Sequence, residues 1–249
     1  MAFSLEQFGP VLDLRDRNGN PYLLIGGQAV CFWATRYLTE EDSLQQWIPF
    51  VSKDIDFQGG RDDLIRFAKQ LGVVARFPHK KEMTAWAGAA VIKVAGGAAS
   101  VDFVRQMPGV KLTQALRFAL ERDFQGYRLR VLDPITLLSC KVSLALKVNQ
   151  DRRRDADHAR IMVVCVRAFL REILRGVESG ELPQRGWLSA VERVLKLAEV
   201  NLGKKATKEL GIDWSQALPL FEIAISSHRA VIQLREKRLP QWAAKLRRR

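Results

Sequence analysis

Apolar positions along the chain change period several times, and each change marks an element. Pro21-Tyr22-Leu23-Leu24-Ile25 is a short apolar run that stops at Gly26-Gly27. The stretch 28–38 follows at once with apolar residues at helical spacing, which predicts a strand, a tight turn and a helix. After a polar segment, Ser52-Lys53-Asp54-Ile55-Asp56-Phe57 alternates acidic and apolar residues with the period of a strand, and Gly59-Gly60 ends it. Residues 62–71 return to helical spacing, with Leu64, Ile65, Phe67, Ala68 and Leu71 on the expected inner side and Gly72 as the C-terminal stop. Two alternating runs, 90–94 and 100–104, flank Ala95-Gly96-Gly97-Ala98 and predict a hairpin that carries Asp102 on its second strand. A further strand is expected at 127–131, closed by Asp133-Pro134, an N-cap residue followed by a proline at the first helical position. Beyond it the period is helical: 135–148, 155–175, 188–201, 204–210 and 214–236. The expectation is a mixed α/β domain over 1–132, its sheet flanked by helices, followed by a helical domain over 133–249.

The acids give this scaffold its candidate chemistry. Residues two apart on a strand share a face, so Asp54 and Asp56 project together while Ile55 and Phe57 enter the core. At roughly 5 Å and an effective dielectric near 20, two such charges repel by about 3 kcal/mol. A hard divalent cation, Mg2+ or Mn2+, offsets that repulsion with carboxylate ligands, water and substrate phosphates, and Asp102 can supply a third carboxylate. An exposed sheet face with solvated acids is the plain alternative. The N–H groups that open the helix at Gly27 and Gln28 form a natural phosphate cradle, with tight glycine packing as the competing reading. Lys141 lies in Leu137-Leu138-Ser139-Cys140-Lys141-Val142-Ser143-Leu144, among apolar and small neighbours, where a cation needs an anion or a path to water.

Composition narrows the field. With 249 residues, 47% hydrophobic and 27% charged, the chain can bury a substantial core. No apolar run approaches a membrane span, and the opening residues lack a signal-peptide layout, so a cytoplasmic protein without a membrane partner is expected. Its three cysteines, Cys31, Cys140 and Cys165, have neither zinc-ligand nor disulfide spacing and read as buried thiols. The histidines are isolated, and His79 and His228 read as surface residues. A net charge of +13 favours polyanionic partners. Arg152-Arg153-Arg154, the terminal Lys245-Leu246-Arg247-Arg248-Arg249 and Lys196, Lys204, Lys205 and Lys208 are candidate phosphate contacts for RNA.

In combination these segments resemble the nucleotidyltransferase superfamily, in particular its abortive-infection-like branch of toxins from toxin–antitoxin systems. The resemblance rests on Leu24-Ile25-Gly26-Gly27-Gln28-Ala29-Val30, Ser52-Lys53-Asp54-Ile55-Asp56-Phe57 and Val101-Asp102-Phe103, then Lys141 and Arg153-Arg154-Asp155-Ala156-Asp157-His158. It spans roughly residues 22 to 160, and it implies a nucleotidyltransferase-like mixed sheet. It also implies that Gly26 and Gly27 face a nucleoside triphosphate and that Asp54 and Asp56 bind metal. Asp102 would complete the metal site or act as base, Lys141 would bind phosphate, and Arg154-Asp155 would pack beneath the site. Two departures stand out: Gly26-Gly27 where many members have Gly-Ser, and a long gap from that turn to Asp54.

The expected activity is transfer of a nucleoside monophosphate from a triphosphate to a hydroxyl on RNA (tRNA-like) or protein, with a cognate antitoxin as an implied partner. Two other functions fit the residues less well. An antibiotic-modifying transferase is disfavoured because a polycationic drug is repelled by a +13 surface. An inactive nucleic-acid-binding or partner-binding fold is disfavoured by three retained acids.

Overall fold

Strand alternation builds one mixed sheet, and the side that receives the large apolar residues positions everything else. The structure is a computed structural model that describes residues 1–79, 81–151 and 153–247. Arg152, Arg248 and Arg249 of the basic runs, and the side chain of Arg247, lie outside the described residues. The backbone divides into two units, Met1–Arg36 with Gln45–Cys140, and Tyr37–Leu44 with Lys141–Arg249. The division expected at Asp133 places the start of the following helix in the second half, whereas here residues up to Cys140 group with the sheet.

In the first unit, α1 (Gly9–Leu12) precedes β1 (Leu23–Ile25), α2 (Gly26–Tyr37), β2 (Asp54–Gln58), α3 (Arg61–Leu71) and β3 (Ala75–Arg76). Next come β4 (Trp86–Val94), β5 (Gly97–Val104), α4 (Leu112–Phe118), β6 (Leu120–Phe124) and β7 (Tyr127–Val131). The seven strands lie in the order β3-β4-β5-β2-β1-β7-β6. β2 runs parallel to β5 and β1 parallel to β7, and the remaining neighbours are antiparallel.

The hairpin expected around Ala95-Gly96-Gly97-Ala98 forms with a tighter turn, since Val94 already pairs with Gly97. A second hairpin, β6–β7, has no counterpart in the sequence reading. It turns on Gln125 and Gly126, both at positive φ, which suits the right-handed twist of a two-residue connection. Phe57, Phe103, Tyr22 and Phe67 form an edge-to-face and tilted ring cluster between sheet and α3. Ile65, expected on that inner side, is instead 46% exposed, because Leu64, Phe67 and Ala68 already fill the buried stripe of α3.

In the second unit, α5 (Pro134–Lys147), which begins in the first, is followed by α6 (Asp155–Glu178), α7 (Gln184–Glu199) and α8 (Asn201–Leu210). The start of α5 is capped as the sequence implies, with Asp133 Oδ1 accepting from the N–H groups of Ile135 and Thr136 at 3.2 and 3.3 Å. The single helix expected over 214–236 is broken. A 3-10 turn (Trp214–Ala217) leads through Pro219 to α9 (Leu220–Ile225), α10 (Arg229–Gln233), a π-turn and α11 (Leu239–Arg247). Pro219 lacks the N–H that an uninterrupted helix needs. Ser226 adopts extended backbone, and His228, expected at the surface, caps α10 by accepting from Ala230 N at 3.3 Å.

The second core is organised by α6, on which the indole of Trp187 donates to Leu170 O at 3.1 Å. Buried Glu41 accepts from Arg167 and pairs with Arg171 at 3.1 Å. All three cysteines are buried free thiols, as expected. Among the described residues, no helix is long and apolar enough to cross a membrane.

Candidate active site

Burial along β2 alternates, with Ile55 and Phe57 buried and Asp54, Asp56 and Gln58 half-buried on the opposite face. β5 repeats the pattern with Ser100, Asp102 and Val104. The parallel register pairs Asp54 with Ser100 and Asp56 with Asp102. Paired residues on adjacent strands, about 4.8 Å apart, share a face. The structure thus brings Asp54, Asp56 and Asp102 onto one side of the sheet.

On the other flank of β2, Ile25 pairs with Asp56, so the bend after β1 falls beside that acid. Gly26 has φ of +68°, a left-handed conformation, and a Cβ added there would collide with Asp56 Oδ2 and stand 2.8 Å from the Asp56 Cβ. The carboxylate therefore rests against the backbone that opens α2, where the first N–H groups lack helical partners and the dipole is positive. Gly27 continues that first turn. The Gln28 side chain, expected near phosphate, is turned inward and fully buried, and its Nε2 donates to Phe3 O at 2.9 Å. At this position only the backbone N–H remains relevant to a ligand.

Asp102 is the most informative of the three. Burial pushes its carboxyl above the ordinary range, the Trp86 and Ser100 hydrogen bonds oppose that, and the Asp54 charge adds to it. The Trp86 indole N–H donates to Asp102 Oδ1 at 2.7 Å, while Ser52 Oγ donates to Asp54 Oδ1 at 3.3 Å.

The sequence reading missed Trp86 for a definable reason. Counting back from the turn, Ala89 pairs with Asp102 and Gly88 with Phe103, which would send Trp86 to the opposite face. A bulge between Trp86 and Gly88 shifts the register by one, so that Trp86 pairs with Val104 and joins the face of Asp102. A bulge re-aims a side chain without leaving a mark in the apolar pattern.

Lys141 belongs to the second unit, and the anion it needs is there. Its Nζ lies 2.9 Å from Asp155 Oδ1, and Arg153 Nε lies 2.6 Å from Asp155 Oδ2. Lys141 is only 4% exposed, so it does not reach up to water. Burial alone would raise the Asp155 carboxyl, but the Lys141 and Arg153 charges outweigh it and hold it below the usual range. Next to this pair, burial pushes buried His158 down to about 3, and the Lys141 charge adds to the effect.

The unfolded histidine titrates near 6.5, so this depressed group contributes stability that is complete above pH 6.5 and is lost as the pH falls toward 3. Denaturant titrations should show stability dropping by up to about 1.4 kcal/mol per pH unit over that window. The slope between pH 6.5 and 4.5 should flatten in His158→Asn. An unchanged slope in the variant would assign the acid sensitivity to other groups.

Among the described residues, no three His, Cys, Asp or Glu side chains are grouped closely enough to ligate one ion by themselves. No family profile matches the chain, and no curated protein matches it. Among solved structures, the chain is similar to an antigenic nucleotidyltransferase-like protein from Paracoccidioides brasiliensis, with 13% identity and a TM-score of 0.43. The similarity covers 66% of this chain and 78% of that one. At that level the likeness bears on neither the chemistry nor the substrates of this chain.

Proposed function

We propose that the chain is a nucleotidyltransferase that moves a nucleoside monophosphate from a nucleoside triphosphate to a hydroxyl on RNA, releasing pyrophosphate. The observation that supports this most strongly is the pairing of Asp56 with Asp102 on the face that also carries Asp54, beside the Gly26 bend. Magnesium takes one or two protein carboxylates and fills its remaining positions with water and substrate phosphates. Asp56 and Asp102, with Asp54 next to them, suit that requirement without a three-residue protein cage. Burial is the main cause that lifts Asp102, and the smaller repulsion from Asp54 that adds to it is what a dication relieves. When bound, Mg2+ or Mn2+ would neutralise triphosphate charge and lower the pKa of the attacking hydroxyl.

The remaining work falls to the chain itself. β2 and β5 hold the acids in register, and the start of α2 offers N–H groups to phosphate oxygens. Trp86 restrains the Asp102 carboxylate from rotating away. Asp102, paired with Asp56 on the same face, is placed to accept the proton of the attacking hydroxyl. For Lys141 to contact phosphate, its ammonium would have to exchange Asp155 for the ligand. A toxin role with a cognate antitoxin belongs to the same proposal and predicts growth arrest on unneutralised expression.

The direct test incubates the purified protein with labelled triphosphates, magnesium and total RNA. Asp56→Ala should lower label transfer by about 100- to 1000-fold. Asp102→Asn should also lose transfer, yet melt no lower than the parent at pH 7, because it removes a charge whose ionisation burial opposes. Absence of transfer by the parent, or equal transfer by Asp56→Ala, would overturn the proposal.

A further inference from the structure

A groove of about 650 Å3 opens in the first unit at the end of the sheet away from Gly26. Its floor is the register row Gln58–Leu23–Arg130, where β2 ends and β1 begins. α3 packs on the Phe57 and Phe103 face, opposite to that of Asp54 and Asp56, so the groove lies around the end of the sheet from the acids. One wall is a stripe of α3, Asp62, Ile65, Arg66 and Lys69, whose spacing of three and four residues puts them on one side of the helix.

Charge in this groove is left open. The lining has five cations, Arg17, Arg61, Arg66, Lys69 and Arg130, against three carboxylates, Asp16, Asp62 and Asp63. Two of those carboxylates are already engaged by the backbone. Asp16 Oδ1 accepts from Asn18 N and Asn20 N at 2.7 and 2.9 Å, and Asp63 Oδ2 accepts from Gly60 N at 2.8 Å. Among the described residues, none of the five cations has an ion-pair partner, and Arg61 is held over the Phe77 ring, 4.0 Å from its centroid. By contrast, Arg167, Arg171, Arg175 and Arg238 of the helical unit are bound to carboxylates. Between the groove cations lie two exposed apolar side chains, Ile65 and Leu116, 46% and 40% exposed.

Five cations without ion-pair partners, spread along one groove, suit an extended phosphate backbone rather than a free phosphate. We propose that this groove holds the backbone of the single-stranded RNA acceptor, remote from the end presented to the acids. The acceptor role of that RNA rests on the transferase reading, but the groove's affinity for RNA does not.

The test uses the full chain and a fluorescently labelled 20-nucleotide single-stranded RNA, with binding followed by anisotropy from 50 to 300 mM salt. Arg66→Glu/Lys69→Glu should weaken binding at least about tenfold and reduce the slope of log affinity against log salt by about 1.4, from 0.7 per lost phosphate contact. Arg66→Gln/Lys69→Gln should reduce the slope equally, which guards against a misfolded charge reversal. Both substituted side chains are exposed. Lys205→Glu/Lys208→Glu, on the exposed side of α8, should have the smaller effect. If that α8 variant abolishes binding while both groove variants bind as the parent does, the proposal is overturned. Calorimetric titration of each variant with magnesium and ATP reports separately on the acid face. A parent that binds RNA through the groove but shows no metal-dependent nucleotide binding would sink the transferase reading and leave the groove standing.

Discussion

Gly26→Ala is expected to remove nucleotidyl transfer nearly as completely as loss of an acid, although it adds a single methyl group. The alanine must adopt φ near +68°, which costs about 1–2 kcal/mol for an L-residue. Its Cβ would also overlap Asp56 Oδ2, and the Asp56 Cβ at 2.8 Å leaves the carboxylate no room to retreat by a rotamer change alone. Either β2 shifts against β1 or the carboxylate swings off the shared face. A displacement of about 1 Å at a reacting centre costs on the order of 100-fold in rate. Transfer in Gly26→Ala should accordingly fall at least that far, with a lowered melting temperature. Full activity in a folded Gly26→Ala protein would mean that Asp56 does not need its observed position, and the site as drawn would be wrong.

Lys141→Met should destabilise the protein by about 3–5 kcal/mol, because it strands the buried Asp155 carboxylate with only the partly exposed Arg153 as partner. Asp155→Leu should cost a similar amount by stranding the Lys141 ammonium. The double variant should recover most of the loss, since a well-packed apolar pair can replace a buried ion pair at little net cost. The measurement is chemical denaturation of all four proteins, read as a double-mutant cycle with a coupling energy of a few kcal/mol. If Lys141→Met left stability unchanged and only weakened binding of magnesium and ATP, the lysine would be a substrate contact and the buried pair incidental.

The candidate site was legible wherever strand geometry alone decides direction. Asp54-Ile55-Asp56-Phe57 gives away the common face of its two acids because successive Cβ atoms alternate. The glycine-rich turn before β5 places Asp102 on a strand for a similar reason. Gly26 was readable as a turn, although its closeness to Asp56 was not, since that depends on β1 lying next to β2. β6 escaped notice because Leu120-Glu121-Arg122-Asp123-Phe124 carries three charged residues in five and its pattern is too polar to announce a strand. The break at 219–228 was marked by Pro219 but not by the local cap at His228, which mimics an ordinary polar position.

Local periodicity and turn chemistry, properties of neighbours in the chain, thus determined most of the strands and helices, the acid pair and the need of Lys141 for an anion. Tertiary structure decided which strands pair and in what register. It turned Trp86 onto Asp102 through a bulge, gave Asp155 to Lys141, and left the cations of α3 unpaired above the end of β2. Those outcomes depend on contacts between residues distant in sequence, whose free energies are set by packing and burial rather than by the order of neighbours, and no periodicity encodes them.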